Sequence, residues 1–456
     1  MKTFSMALIS KKQLFVVVTT LITKAVSGQT GSNVEKSKKW TNHFQLTVIA
    51  QKHGAFKSSY NGENSLADTV EPTATSLSTT LFLGRKLWKG ASFFFNPEAS
   101  GGKGLSFATG VAGALNGETY RVGEVAPQVF IARAYLQQHI PLSNATYIHV
   151  DDDVNQIAGK IPDNRITISA GKFAVADFFD DNLYSKDPRT QFFNWSAWAN
   201  GAWDYPANTR GYTYGIVVEV IKPKWAVRIS SVAVPRIANF HLMEYRLGKA
   251  HSETFEFEHK FSLNKRPGNF HFFVSNTHSQ APSYADGIKA ITTNNQFLLN
   301  VIKGDVEHKA YGGKKLGLGI NIELELNKQI GLFARSGWND GKYTTWAFTE
   351  IDRSINAGIS VKGEKWKRNA DSWAIIGIMN GLSKNHRAFL KDGGYGFIIG
   401  DGDLTYGGEQ IVETYYSAQL NKFLWLTFDY QFVNNPGYNV DRGPVHVFGL
   451  RGHVEF

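Results

Sequence analysis

The residues best suited to solute recognition cluster between positions 177 and 215. The stretch combines acidic, basic and aromatic side chains: Asp177, Asp180, Asp181, Asp187, Asp204, Arg189, Arg210, Trp195, Trp198, Trp203 and Tyr205. Carboxylates and guanidinium groups form directional hydrogen bonds to hydroxyl groups, and aromatic rings stack on the apolar C–H faces of a pyranose. The pattern favours contact with a sugar. Interfacial aromatic anchors, combined with salt bridges that stabilise a loop, are the alternative interpretation.

Other groups of residues lack the spacing that their chemistry would require. The glycines around Lys103 do not complete the G-x-x-x-x-G-K-[ST] pattern of a phosphate loop. The acidic run 151–153 lacks the spacing of a calcium loop, and the 13 histidines form no paired metal motif. No G-x-S-x-G motif supplies a nucleophilic serine. We therefore expect no enzyme, no bound metal and no cofactor.

The composition of the 456-residue chain suits one large barrel as well as two or three soluble domains. Cysteine is absent, as expected in an oxidising compartment, and 44 glycines and 13% aromatic residues suit tight turns and interfacial girdles. The net charge of +10 is dispersed along the chain, so it predicts no nucleic-acid partner. It does motivate a preference for anionic solutes as one alternative.

Residues 1–28 have the features of a secretory signal peptide. Lys11 and Lys12 precede the apolar run 14–22, and the small residues Ala25, Ser27 and Gly28 follow it. The run is too short to span a bilayer as a helix. The pattern predicts an exported protein whose barrel domain occupies residues 29–456.

Period-two alternation is clearest between positions 315 and 326. One face carries Leu316, Leu318, Ile320, Ile322, Leu324 and Leu326, and the other carries Gly317, Gly319, Asn321, Glu323 and Glu325. Such alternation predicts a strand that meets a different solvent on each face. Similar segments recur along the chain, separated by turn residues.

The last segment alternates in the same way and ends on Phe456. Phe448, Leu450, Val454 and Phe456 share one face, and Arg451, His453 and Glu455 share the other. Lipid offers no hydrogen bonds to a free sheet edge, so in a membrane barrel the last strand must pair with the first. We also expect the terminal Phe456 to be read by the outer-membrane assembly machinery.

The connections between strands are of two kinds. Turns of two to five residues alternate with long Gly-, Asp- and Asn-rich connections at 96–123, 177–212 and 278–313. This asymmetry is typical of an outer-membrane barrel. We predict an all-β fold: a transmembrane antiparallel β-barrel of about 16 strands, with long loops folded into the lumen. A soluble β-sandwich could produce similar alternation.

Several stretches resemble the carbohydrate-selective porin family of Gram-negative outer membranes, the OprB type. They are NPEASGGKGLS (96–106), NGETYRVG (116–123), IARAYLQQ (131–138), the segment 171–215 that begins GKFAVADFFDD, and the final 429–456. They occur in the order that the family shows. Residues 240–400 add little beyond alternation.

The resemblance implies passive diffusion of glucose-like mono- and oligosaccharides through a water-filled channel that loops narrow. Candidates carried onto matching positions are Glu98, Glu118, Arg121 and Arg133 for a first narrowing segment, Asp181, Trp198, Trp203 and Arg210 for a second, and Asn435 and Arg442 in the last external loop. It also implies small sugars and outer-membrane lipid as partners, and leaves a homotrimer and a monomer both open. A general or anion-preferring porin, or a secreted soluble all-β sugar-binding protein, are the alternatives.

Overall fold

A computed structural model describes residues 38–119 and 125–456 of the chain. Sixteen antiparallel strands form a closed barrel, which confirms the predicted fold class and strand number. The strands are β1 Trp40–His53, β2 Ala74–Lys86, β3 Ala91–Gly102, β4 Gln128–Pro141, β5 Arg165–Phe173, β6 Thr213–Ile221, β7 Trp225–Val232, β8 His251–Leu263, β9 Arg266–Ser279, β10 Gly313–Glu325, β11 Ile330–Asn339, β12 Arg353–Lys362, β13 Ser372–Gly381, β14 Glu409–Asn421, β15 Leu424–Asn434 and β16 Val445–Glu455. The signal peptide predicted at 1–28 lies outside the described residues.

The two faces of each strand differ as the alternation predicted. In β10, Leu316 and Ile320 are 41% and 43% exposed on the outer face, whereas Asn321 is fully buried inside. In β16, Phe448 and Leu450 face outwards, whereas Arg451 and His453 are buried in the interior. The barrel therefore presents an apolar outer surface and a polar inner one.

The last strand closes the barrel against the first. β16 pairs with β1 from Gln45 opposite Glu455 to His53 opposite Val447. The rings of Phe44 and Phe456 stack with centroids 5.1 Å apart, and their backbones exchange hydrogen bonds of 2.8 and 3.1 Å. No strand edge is left unpaired in the barrel, as the closure argument predicted.

The two rims of the barrel differ in the length of their connections. The turn rim carries connections of two to four residues, together with the longer segments 142–164 and 363–371. The loop rim carries eight longer segments: L1 54–73, L2 103–127, L3 174–212, L4 233–250, L5 280–312, L6 340–352, L7 382–408 and L8 435–444. Two short ribbons, Tyr147–Val150 with Gly159–Pro162 and Val234–Pro235 with Met243–Glu244, lie in these connections.

One expected loop is shorter than predicted. The connection expected at 96–123 begins only after Gly102, because β3 continues past a bulge at Asn96 and Pro97 and stays paired with β4. Glu98 therefore lies on a strand of the barrel wall and not in a loop. The other two long connections begin and end within a few residues of the predicted positions.

The α-helices lie in the loops of the loop rim. They are α1 Trp195–Trp198 in L3, α2 Tyr284–Thr292 and α3 Gln296–Lys303 in L5, and α4 Lys384–Lys391 in L7. Ser283, Asn295 and Ser383 cap the three longer helices by accepting a backbone N–H with their side chains. Among the described residues, no helix is long and apolar enough to cross a membrane.

Candidate solute passage

L3 folds into the barrel and is held by a buried ion pair. The carboxylate of Asp180 lies 3.0 Å from the guanidinium of Arg335 on β11, and Asn321 on β10 donates to it at 2.9 Å. Burial raises the pKa of Asp180, although the charge of Arg335 opposes this shift. The pair fixes the first half of L3 against the β10–β11 wall.

Carboxylates of the barrel wall also accept the backbone N–H groups of L3. Glu413 on β14 accepts from Phe193 and from Asn194, and Glu256 on β8 accepts from Asp180 at 2.7 Å. Both glutamates are completely buried. A buried N–H without an acceptor is unfavourable, so these wall carboxylates determine where the loop backbone can lie.

Arg451 on β16 completes the attachment of L3. Its guanidinium donates to the carbonyl oxygens of Pro188 at 2.8 Å and Gln191 at 2.6 Å, and it lies 4.7 Å from the centre of the Phe193 ring. L3 therefore contacts the wall from β8 round to β16. Open space remains on the side of β2 to β6.

That space is a cavity of about 690 Å³, called here the passage. It is bordered by strands β1 to β4, β6 and β16, by L2, L3 and L6, and by the turn-rim connection 142–164. Five of the ten residues selected from the sequence line it: Glu98, Glu118, Arg133, Trp198 and Arg210.

Arg189 of L3 lies at the centre of the charged lining. Its guanidinium contacts Glu98 at 3.0 Å and Glu118 at 2.9 Å, and it donates to the hydroxyl of Thr80 at 2.8 Å. Burial raises the pKa of Glu118, and the charge of Arg189 acts in the opposite direction. One arginine thus joins L3 and L2 to the β2–β3 wall.

A second charged pair lies further along the passage. Arg133 on β4 donates to both carboxylate oxygens of Asp177, at 2.7 and 2.6 Å, and stands 5.3 Å from the ring centre of Tyr212. The guanidinium of Arg210 lies 4.3 Å over the ring of Phe130. Planar guanidinium groups therefore face the passage in fixed orientations.

Aromatic rings form the other part of the lining. Trp195, Tyr205 and Phe348 are nearly parallel, with interplanar angles of 11–22° and ring centres 5.1–6.4 Å apart. The ring of Trp198 lies edge-on to Trp195 at 6.0 Å. Charged and aromatic groups thus line the same cavity. Together they can form hydrogen bonds to hydroxyl groups and stack on apolar C–H faces.

The remaining candidates do not line the passage. Asp181 pairs with Lys186 at 2.6 Å, and Trp203 is 2% exposed among other aromatic rings. Asn435 donates to the carbonyl of Gly408 at 3.0 Å, and Arg442 donates to the hydroxyl of Ser58 at 2.7 Å.

These last two hold L8 against L7 and L1 respectively. Arg121 lies outside the described residues.

Several lining residues were not selected from the sequence. Arg189, Asp177 and Tyr205 lie in the 177–215 stretch, but nothing in their spacing separated them from their neighbours. Phe348 lies in L6, far from that stretch and in a region without a recognisable pattern. Their contribution depends on contacts between distant segments.

A second cavity of about 380 Å³, the turn-side chamber, lies between L3 and the turn rim. Arg189, Thr190 and Glu455 line both this chamber and the passage, so the two cavities adjoin at these residues. Within residues 38–119 and 125–456, no group of three or more His, Asp or Glu residues could hold a metal ion.

A closed 16-stranded barrel with an apolar exterior, a polar interior and an inward-folded loop defines a porin of the outer membrane. Residues 69–456 match the family described as "Carbohydrate-selective porin, OprB family", and the chain belongs to this family. The resemblance found in the sequence is thereby confirmed, and the porin interpretation is favoured over a secreted soluble protein. A comparison with curated proteins found no match.

The chain is similar to several solved structures. The high-pH structure of Pseudomonas putida OprB has 14% sequence identity, covers 92% of this chain and 94% of its own, and gives a TM-score of 0.64. The low-pH structure of the same protein has 12% identity over 98% and 97% of the chains, with a TM-score of 0.48. The channel DcaP of Acinetobacter baumannii has 10% identity over 94% and 100%, with a TM-score of 0.48. At 14% identity, the similarity to the high-pH structure of Pseudomonas putida OprB establishes the fold and not the function.

Proposed function

We propose that the passage is the route by which neutral monosaccharides and short oligosaccharides cross this porin. The observation that carries the proposal is the meeting of Arg189, Arg133 and their carboxylate partners with the parallel rings of Trp195, Tyr205 and Phe348 in one cavity. Of the selected residues, Glu98, Glu118, Arg133, Trp198 and Arg210 are proposed to contact the sugar. Arg121 remains a candidate for the same role.

The mechanism is an exchange of hydrogen bonds. A sugar that leaves bulk water loses bonds to water and regains similar ones from the fixed guanidinium and carboxylate groups. Its C–H faces stack on the aromatic rings at each position. Because the contacts are weak and repeated, the solute can leave as easily as it enters, and no energy source is required.

The pairing of charges in the passage favours neutral solutes. Arg189 contacts two carboxylates and Arg133 contacts one, so the positive charge of each arginine is offset by close negative charge. A general or anion-preferring porin would instead be expected to carry uncompensated cations at this position. These ion pairs therefore do not account for the chain's net charge of +10.

The test is single-channel recording of the purified protein with a panel of sugars added at the loop rim. Trp198→Ala removes a lining ring and is expected to weaken sugar block several-fold, by about 1 kcal/mol of stacking. Trp88→Ala is the matched control, because Trp88 is exposed outside the barrel at the turn rim. Unaltered glucose block in Trp198→Ala, or no block by any sugar in the parent protein, would remove the proposal.

We further propose that residues 1–28 direct export through the periplasm and are removed, so that the turn rim with Phe456 faces the periplasm. Amino-terminal sequencing of the mature protein is expected to begin near Gln29. The assembly machinery is proposed to engage Phe456, with membrane lipid around the apolar wall.

No catalytic role is proposed, and sugars are expected to emerge unchanged.

We propose that the protein is either a homotrimer or a monomer, and light scattering of the detergent-purified protein distinguishes the two by mass.

A further inference from the structure

The turn-side chamber combines aromatic rings with hydroxyl groups. Tyr184, Tyr415 and Trp425 line it together with Ser360, Ser372, Ser417 and Thr427. Its volume of about 380 Å³ is at the small end of ligand sites and suits a single hexose. The chamber thus has the two kinds of group that contact a pyranose, on the other side of L3 from the passage.

The ring of Tyr184 has a fixed position in the chamber. It stacks on Phe333 with centres 6.3 Å apart, and it lies so close to Gly331 that a Cβ at that residue would be 2.0 Å from the ring. Only glycine allows this approach of ring and backbone. A rigid ring face loses little entropy when a sugar stacks on it.

The charges of the chamber differ from those of the passage. Lys328, in the turn after β10, and Lys362, at the end of β12, both line the chamber. Neither lysine forms an ion pair or a side-chain hydrogen bond with any residue that the structure describes. The chamber therefore carries two uncompensated cations at the turn rim.

The carboxylates that line the chamber already have partners. Glu325 pairs with Arg266 at 3.2 Å, and Glu455 lies 3.2 Å from the ring nitrogen of His453. Arg451 also lines the chamber, is fully buried, and has an Nε atom without a hydrogen-bond partner among the described residues. Positive charge thus predominates, in contrast to the paired charges of the passage.

We propose that the turn-side chamber is a second sugar site, selective for a pyranose that carries a carboxylate. The sugar ring stacks on the aromatic faces, and its carboxylate lies near Lys328 and Lys362. The inference rests on the proposed function, because it takes the barrel to be a channel that admits sugars. It goes further by assigning a separate site with a different charge preference.

The experiment compares glucuronate with glucose, each added to one side of a planar bilayer at about 0.1 M salt, where charges within about 10 Å still interact. The chain has no cysteine, so Lys365→Cys can report which side holds the turn rim through its reaction with an impermeant thiol reagent. The variant Lys328→Gln/Lys362→Gln removes the two chamber charges. Lys365→Gln/Lys367→Gln is the matched control, because these exposed lysines lie at the same rim and do not line the chamber.

Glucuronate added at the turn rim is expected to block the channel about threefold or more better than glucose. The advantage is expected to disappear in Lys328→Gln/Lys362→Gln and at about 1 M salt, and to persist in the control. Equal block by the two sugars, or an advantage that survives the double substitution, would overturn the inference. Loop-rim block by glucose tests the passage separately, so the failure of one proposal can be told from the failure of the other.

Discussion

Tryptophans in one loop can have different roles, and Trp198 and Trp203 illustrate this. Trp198 borders the passage, whereas Trp203 is buried with ring centres 4.9 Å from Phe273, 5.4 Å from Tyr205 and 6.3 Å from Phe179. The residue type therefore predicted an aromatic contact in both cases but did not separate packing from solute contact. The distinction follows from the cavity lining, which includes Trp198 and not Trp203.

Trp203→Ala is expected to lower the stability of the folded protein by about 3–5 kcal/mol, because a buried indole is replaced by a cavity. The measurement is thermal unfolding in detergent, followed by near-ultraviolet circular dichroism. Trp198→Ala serves as the comparison and is expected to unfold close to the parent temperature. A Trp203→Ala protein of unchanged stability would contradict the packing role.

Glu350 of L6 is a buried carboxylate with an unusual titration. Burial raises its pKa to about 7, although its side chain accepts the backbone N–H groups of Ile398 and Ile399. Nearby, the charge and hydrogen bond of His386 outweigh burial and hold the pKa of Asp352 at about 2. L6 and L7 are therefore joined by two carboxylates that titrate in different ranges.

The folded protein binds the Glu350 proton more tightly than the unfolded chain does. The stabilisation from this group is therefore complete below about pH 4 and decreases as the pH rises to about 7, by on the order of 3 kcal/mol. Glu350→Gln is expected to remove this decrease. The difference in stability between variant and parent is therefore expected to shift in favour of the variant between pH 5.5 and pH 8.5. Parallel stability curves for the two proteins, measured by unfolding across this range, would refute the assignment.

At the scale of elements, the strands were predictable and the path of L3 was not. Successive residues of a strand, such as Leu316 and Gly317, point to opposite faces, so the alternation is visible in a short stretch of sequence. The position of L3 depends on contacts between residues far apart in the chain. Asp180 and Arg335 are 155 positions apart, and Phe193 and Glu413 are 220 apart.

The boundary of β3 was misplaced for a related reason. Pro97 and the glycines after it are typical of a turn, but pairing with β2 and β4 keeps the segment in the sheet. Tertiary pairing thus overrides local preference at this point. For the same reason, half of the ten residues selected by type line the passage, whereas Arg189 and Phe348 were missed.

The attachment of L3 can be tested at its buried ion pair. Arg335→Met leaves the Asp180 carboxylate buried without its partner, which typically costs about 3–5 kcal/mol. We expect L3 to detach from the β10–β11 wall, and oligosaccharides larger than those admitted by the parent to enter in liposome swelling assays. Asp180→Leu/Arg335→Met removes both charges and is expected to restore much of the stability. An unchanged size limit in Arg335→Met would show that other contacts suffice to hold L3.

At the scale of the whole molecule, the outer wall of the barrel is expected to contact lipid. Ile320 lies near the middle of β10 and is exposed on the outer face. Ile320→Arg is expected to cost about 2–4 kcal/mol for folding in a bilayer, because a charge near the midplane is poorly solvated. Ile320→Val is the control.

The measurement is the denaturant concentration needed to unfold the protein from lipid vesicles. If Ile320→Arg and Ile320→Val unfold at the same concentration, the outer face does not contact hydrocarbon at this position.

The sharing of Arg189 and Thr190 by two compartments has a kinetic consequence. Each cavity can hold a solute molecule at the same time, and the arrival of a solute in one cavity can hasten the departure of a solute from the other. The flux of solute would then continue to rise at concentrations that already saturate a channel with one binding site. The current fluctuations caused by a sugar would show two relaxation times, one for the passage and one for the turn-side chamber.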